Sequence, residues 1–296
     1  MLFHRRKKEE LNYKIKNFKL TKEARQRIDD EFSDDIAEDF INYDVYEEKF
    51  RHRRRRKLFF TIVLFCGLLI IINLGLLMYS GKLWFNEPRK RDYPVRGPII
   101  SERDGKVNWG NFAHQNIQMC YIRATKSTAY EDKNFKKNQN GSAETDLPVG
   151  YLHVFDITMD GEDQARHFTD TTGDLTGQLV PAVEVARTGF YKILPVDYDD
   201  LSEKLCDYVN VIEQYCGRKP VIKCSNDIYE NVVSKEEFDD CPVWYVSEYS
   251  KPDKNVRMDF WGYSSRVKFN YYESGGYLEM TVFNGSEEDF QKMILE

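Results

Sequence analysis

In this chain of 296 residues, Tyr121, Arg123, Tyr151, His153, Trp244, Trp261 and Tyr263 stand at or near the ends of short apolar runs. Aromatic faces so placed can pack against the rings of a ligand. Arg123 and His153 can hydrogen-bond to its hydroxyl, amide or acidic groups. This is a chemistry of adsorption, and the same aromatics would serve equally well as core. His153 reads as a hydrogen-bonded pocket residue rather than a metal ligand. Three carboxylates, Asp156, Glu184 and Glu279, lie in or beside the same runs, with a loop or cap role the plainer reading of Asp156. No CxxC pair or histidine cluster points to a metal, no glycine-rich phosphate loop follows a suitable strand, and no nucleophile elbow frames a serine. Neither metal nor cofactor is expected.

Of six cysteines, Cys66 lies in a long apolar run, and Cys120, Cys206, Cys216, Cys224 and Cys241 follow it. Five thiols cannot all pair internally. Cys206 with Cys216, or Cys216 with Cys224, are neighbours in sequence, and buried free thiols are an equal reading. Asn140 and Asn284 sit in N-x-S triplets, which matter only where exported proteins are glycosylated.

Elements must carry these residues. Strands are expected near 98–101, 117–124, 149–156, 178–185, 220–224, 242–247, 258–263 and 277–283. Between them DQARHFTDTTG and YDDLSEKLCDYVNVIEQYCG have the turn signals of crossover helices. The second places Leu201, Leu205, Tyr208, Val209, Val211 and Ile212 at helical intervals. Strands alternating with helices predict an α/β fold with a mainly parallel sheet, and eight strands suit a barrel; periodicity alone leaves a doubly wound sheet as the alternative. The last two strands are close enough for a hairpin.

The strongest local signal is LFFTIVLFCGLLIIINLGLLMY, residues 58–79, without a charge. As a helix it would rise about 33 Å, enough for a bilayer core of about 30 Å. RHRRRRK precedes it directly, which by the positive-inside rule places the N-terminus in the cytoplasm and the C-terminal domain outside the cell membrane. The run begins too late and extends too far for an ordinary cleaved signal peptide. The formal charge of −6 divides into +4 over residues 1–57 and −10 over the remainder. The expected domains are therefore a cytoplasmic charged arm (1–57), a transmembrane helix (58–79), a linker (80–95) and an extracytoplasmic domain (96–296). The lipid bilayer is an expected partner, and the arm suits a cytoplasmic protein partner. The arginine cluster needs no nucleic acid to explain it.

Across residues 96–295 the chain resembles the glycoside hydrolase family 25 lysozymes. The resemblance is carried by GKVNWGNF, YIRATKS, DKNFKKN, LPVGYLHVF, DQARHF, KPVIKCS, PVWYVSEY, FWGYSS and EMTVFNG in that order. It implies an irregular TIM-like (β/α) barrel and peptidoglycan as substrate or ligand. In that family an opening strand supplies Asp, a middle strand Asp-x-Glu, and a late strand Asp. Here Ile99 stands at the first position, Glu184 and Ala186 at the middle pair, and Glu279 at the last.

Glycoside hydrolysis needs a carboxylic acid that protonates the leaving oxygen. The resemblance assigns that proton to the position of Ala186, whose methyl group has none. Glu184 lies two residues away, about 6.6 Å along a strand, and a displacement of about 1 Å can lower a rate roughly 100-fold. Lys126 replaces a typical acid, Lys223 a usual aromatic, and Gly262 a common glutamine. The expectation is a catalytically degenerate, membrane-anchored family member that binds or scaffolds peptidoglycan or another envelope glycan. Glu184 and Glu279 are candidate catalytic remnants, and the seven residues named first are the candidate sugar contacts. Active or altered muramidase chemistry and a protein scaffold without sugar binding are the alternatives.

Overall fold

The computed structural model describes residues 34–80, 86–187 and 195–296. Residues 1–33 of the expected charged arm and 81–85 of the expected linker lie outside them. The chain divides at Leu74 and Gly75 into two compact units. The first is dominated by helix α1 (Asp34–Tyr79). Its stretch Phe50–Tyr79 is long and apolar enough to cross a membrane, and none of its most apolar window is buried by protein.

The second unit is a closed barrel. Its strands are β1 (Arg96–Ile100), β2 (Cys120–Lys126), β4 (Val149–Phe155), β5 (Leu179–Val185), β6 (Val221–Cys224), β7 (Val243–Val246), β8 (Phe260–Val267) and β9 (Leu278–Phe283), with a two-residue strand β3 (Tyr130–Glu131) added to β2. Neighbours run in the order β1, β9, β8, β7, β6, β5, β4, β2, and a β1–β2 pairing closes the ring. The doubly wound alternative is thereby excluded. Each expected strand is present, with its ends moved by up to four residues. All ring neighbours are parallel except the two pairs made by β9, which is antiparallel to both β1 and β8. Only ten residues join β8 to β9, too few for the helical crossover that a parallel return requires.

Helices α2 (Trp109–Phe112), α3 (Phe135–Ser142), α4 (Gly161–Thr172), α5 (Tyr198–Cys216) and α6 (Glu287–Gln291) lie between or after the strands. Their boundaries have local causes. Asp160 caps α4 by accepting from the Asp163 amide, and Asp197 caps α5 by accepting from those of Asp199 and Asp200. Gly217, at φ 72°, ends α5 in the left-handed conformation that glycine adopts without strain. The apolar face of α5 is Leu201, Leu205, Tyr208, Val209 and Ile212, all buried, with Val211 partly buried beside them. Gly161 lets α4 and α5 meet: a Cβ there would stand 1.7 Å from the Lys204 carbonyl oxygen.

Among the described residues, no helix covers the wall formed by β8 and β9. Residues 86–95 cover it instead, with Tyr93 edge-on against Trp261 and packed with Tyr263, Met280 and Val282. Asn86 donates to the Ser247 and Glu248 carbonyls. The buried guanidinium of Arg96 donates to the Pro88 and Tyr93 carbonyls and pairs with Glu87. All six cysteines are free thiols, Cys120, Cys224 and Cys241 among the buried residues, and no bridge joins Cys206 to Cys216 or Cys216 to Cys224.

Candidate active site

The parallel strands end at a common rim, where β9 begins; we call this end the mouth. Strand alternation decides which side chains reach it. On β5, Glu184 points into the barrel, in register with Lys223 on β6, which in turn is level with Trp244 on β7. On β9, Glu279 is level with Ile99 of β1. Arg123 enters from β2.

These groups form an alternating chain of charge. Arg123 Nη2 is 3.5 Å from Glu184 Oε2, Lys223 Nζ is 3.0 Å from Glu184 Oε1, and the same Nζ is 2.5 Å from Glu279 Oε2. The Lys223 ammonium also lies 5.6 Å from the centroid of the Trp244 ring. Lys223 is nearly inaccessible, with 4% of its side chain exposed, whereas Glu279 is 44% exposed. Burial alone would raise the Glu184 pKa, but the charges of Lys223 and Arg123 outweigh it and hold the carboxyl below its ordinary range. Burial likewise acts to lower the Lys223 pKa, and the two carboxylates reverse that and raise it. Glu184 is therefore an ionised acceptor, not a proton donor.

Among the described residues, the cleft beside Lys223 and Glu279 is small. The cleft lined by Lys223, Trp244, Gly262, Ser264 and Glu279 encloses about 10 Å³. A single water needs about 10–15 Å³, and pockets for drug-sized ligands measure about 300–1,000 Å³. The indole Nε1 of Trp244 beside this space has no hydrogen-bond partner. A Cβ on Gly262 would approach it to 3.2 Å. Ala186 follows Glu184 by two residues, just beyond β5, and is half-buried.

The seven predicted contacts divide by strand parity. Arg123, Tyr121 and Trp244 point inward. Tyr121 and Trp244 pack on each other and on Phe260 beneath the charged layer, and the Tyr121 hydroxyl donates to the Val180 carbonyl. The other four lie on the outer face of the sheet. Tyr151 packs edge-on against Phe135 of α3. His153 stacks on Tyr208 of α5, its Nδ1 is 2.7 Å from Thr125 Oγ1, and its Nε2 is 3.2 Å from Gln164 Oε1. Burial depresses the His153 pKa to about 3, so it is neutral. Trp261 donates from Nε1 to the Ser247 carbonyl and, with Tyr263, belongs to the cluster under residues 86–95. Asp156 caps a turn, accepting from the Thr158 amide and hydroxyl.

Two residues near the mouth carried no site assignment from sequence. Lys223 was visible only as a replacement for an aromatic; its lysine in an otherwise apolar strand, PVIKC, was the signal available. Asp104 follows β1 and is buried; its Oδ2 accepts from the Ser101 amide at 2.7 Å and hydroxyl at 3.1 Å. Burial raises its pKa, with Arg123 opposing and Glu279 adding to that rise. A carboxylate in a turn looks like any other in sequence.

A family model described as glycosyl hydrolases family 25 matches residues 100–271. The chain is 25% identical over 209 residues to the uncharacterized protein YegX of Escherichia coli O157:H7, covering 68% of this chain and 74% of that protein. It is 25% identical over 185 residues to the autolytic lysozyme of Clostridium acetobutylicum, covering 61% and 51% respectively. A family 25 glycosyl hydrolase from Bacillus anthracis superposes with a TM-score of 0.64 at 26% identity, over 70% of this chain and 96% of that one. A lysozyme of the same family from Aspergillus fumigatus has the same fold, with a TM-score of 0.59 at 21% identity over 68% and 99%.

Proposed function

This chain belongs to the glycosyl hydrolases family 25, and from that membership we propose that it engages peptidoglycan, or another envelope glycan, without hydrolysing it. Its role is recognition, positioning or scaffolding. One observation carries the reading: the mouth pairs Glu184 and Glu279 with the buried Lys223, and Glu184 also with the partly exposed Arg123, and offers a methyl group, Ala186, where the family resemblance places the general acid. A general acid needs a pKa raised toward the working pH. Glu184 is shifted the other way.

The apolar stretch of α1 supports a single-pass anchor. With RHRRRRK on its N-terminal side, the arm faces the cytoplasm and the barrel faces outward. The arm is then free to meet a cytoplasmic protein while the barrel meets the wall. Of the predicted sugar contacts, Arg123 alone combines an inward direction with partial exposure at the mouth, so we assign it first contact with the glycan.

Full-length protein in nanodiscs should bind defined wall glycans saturably and release no new reducing ends between pH 4 and 9. One observation favours hydrolysis as a second reading: burial raises the Asp104 carboxyl, as acid catalysis requires, and Glu279 is electrostatically close to it. Reducing-end release that vanishes in Asp104→Asn or Glu184→Gln would establish that reading and end the first.

A further inference from the structure

The outer wall made by β8 and β9 adjoins the residue at which the long apolar segment ends. Tyr79, the last residue of that segment, belongs to the same compact unit as the barrel. Its carbonyl accepts from Arg266 Nη2 at 3.0 Å and from the Tyr277 hydroxyl. The Arg266 guanidinium lies 5.2 Å from the centroid of the Tyr79 ring and 4.4 Å from that of Tyr277, and the Lys268 ammonium lies 4.9 Å from the latter. Chain length sets a second limit. Six residues separate Tyr79 from Asn86, which bonds to the barrel at Ser247 and Glu248, so at full extension these points stand at most about 25 Å apart.

On this wall the sign of the charge changes. Residues 58–296 carry −10 in all. Yet residues 86–95, 247–251 and 264–269, which meet here, supply Arg89, Lys90, Arg91, Lys251, Arg266 and Lys268 against Glu87, Asp92 and Glu248. Glu87 is matched by the buried Arg96, and Asp92 by Arg91. Lys251 stands 5.9 Å from the centroid of the Tyr93 ring, and Tyr93 packs on Trp261, so the turn at 89–93 and Lys251 share one surface. Arg89, Lys90, Arg91, Lys251 and Lys268 are all exposed, as is Tyr79.

A bilayer surface matches this combination. Anionic headgroups attract lysine and arginine held within a Debye length, and tyrosine rings settle at headgroup level. A tethered domain needs little affinity of its own, because its anchor keeps the patch at a high local concentration of lipid. We propose that this wall docks on anionic phospholipid headgroups of the membrane that holds the apolar segment, with Arg89, Lys90, Arg91, Lys251 and Lys268 as the lipid contacts. The inference rests on the proposed anchor and not on glycan binding. Docking holds the mouth beside the membrane, within reach of glycan that lies next to it.

The test places the full chain in nanodiscs of phosphatidylcholine, alone or with one third phosphatidylglycerol, and reads lysine acylation by a water-soluble reagent peptide by peptide. In about 50 mM NaCl the anionic discs should lower acylation of Lys90, Lys251 and Lys268 at least threefold, while the exposed Lys137 on α3 changes less than about 1.5-fold. Raising NaCl to about 500 mM should return the three lysines to their level in phosphatidylcholine, because exposed charges are screened. The variant Arg89→Glu/Lys90→Glu/Arg91→Glu should abolish the protection of Lys251 and Lys268, which it leaves in place. An unchanged unfolding midpoint is its folding control, and Lys268→Gln, read at Lys90 and Lys251, should weaken protection independently. Equal acylation in the two lipids, or full protection in the triple variant, overturns the proposal. A chain that stays out of the discs overturns anchor and docking together; one that enters them with unprotected lysines keeps the anchor and loses the docking alone. Protection that requires added poly(glycerol phosphate) assigns the patch to a soluble polyanion, and protection that requires two chains per disc assigns it to a second copy; either result overturns the lipid reading.

Discussion

The two ends of the barrel treat charge in opposite ways. At the mouth, Arg123, Glu184, Lys223 and Glu279 alternate in sign at contact distance, and among the described residues the cleft beside Lys223 and Glu279 encloses about 10 Å³. At the other end, among the described residues, Glu144, Asp146 and Glu287 border about 580 Å³ with no lysine or arginine in its lining. The difference separates internal stability from external binding. A charge satisfied within the protein has little left to offer a ligand, whereas an unmatched charge over apolar surface contributes little to folding and is available for binding.

Removing Lys223 should break the comparison most forcefully. Lys223→Met leaves Glu184 and Glu279 without their shared cation and should lower stability by about 3–5 kcal/mol, the usual consequence of stripping one partner from a buried pair. Urea unfolding would measure it. Glu184→Gln in the same chain should recover part of the loss, since the Glu184 carboxylate that loses Lys223 is then neutral. A loss under about 1 kcal/mol for the single variant would mean that the charge chain is dispensable.

Acid should distinguish the mouth from the helix-covered wall. His153 has a folded pKa of about 3, below its ordinary value of 6.5. The unfolded chain therefore binds more protons between those values, and this contribution to stability is lost as pH falls from about 6.5 toward 3. Glu184 acts in a lower window: its folded pKa lies below 4.5, so its stabilisation is present above that value and declines as pH falls through the lower folded pKa. Replacing Glu184 by Gln should flatten unfolding free energy against pH only below about 4.5. A His153→Phe variant should change the slope from about 6.5 downward. Identical pH profiles for both variants would contradict this separation.

The smallest effect belongs to the other end. Neutralising Glu144, Asp146 and Glu287 together should alter unfolding free energy by no more than about 0.5 kcal/mol, as for surface substitutions without partners. A loss above about 1 kcal/mol would show that these acids stabilise the fold, and the contrast between the two ends would disappear.

Much of the architecture was legible in the residues because burial imposes a local pattern. The apolar runs of β4 and β5, buried on both faces, mark parallel strands covered by helices, and α5 displayed its buried face at 3.6-residue spacing. The site was less legible. A bulge between Arg123 and Thr125 lets Arg123 point inward and Thr125 outward toward His153. No spacing rule revealed that shift. Similarly, the Tyr93 in the expected linker gave no sign that it would cover Trp261 where no helix does.

By itself, the sequence determined the long apolar segment, the order of strands and helices, and the family membership, because each is written in local composition and short periodicity. Only the tertiary structure decided which way each residue at a strand end faced, that Lys223 joins two carboxylates 39 and 56 residues away, and that Glu144 and Asp146 of one loop share a cleft with Glu287 of α6. Electrostatic energy depends on distance through space, which a closed barrel sets by joining its first strands to its last.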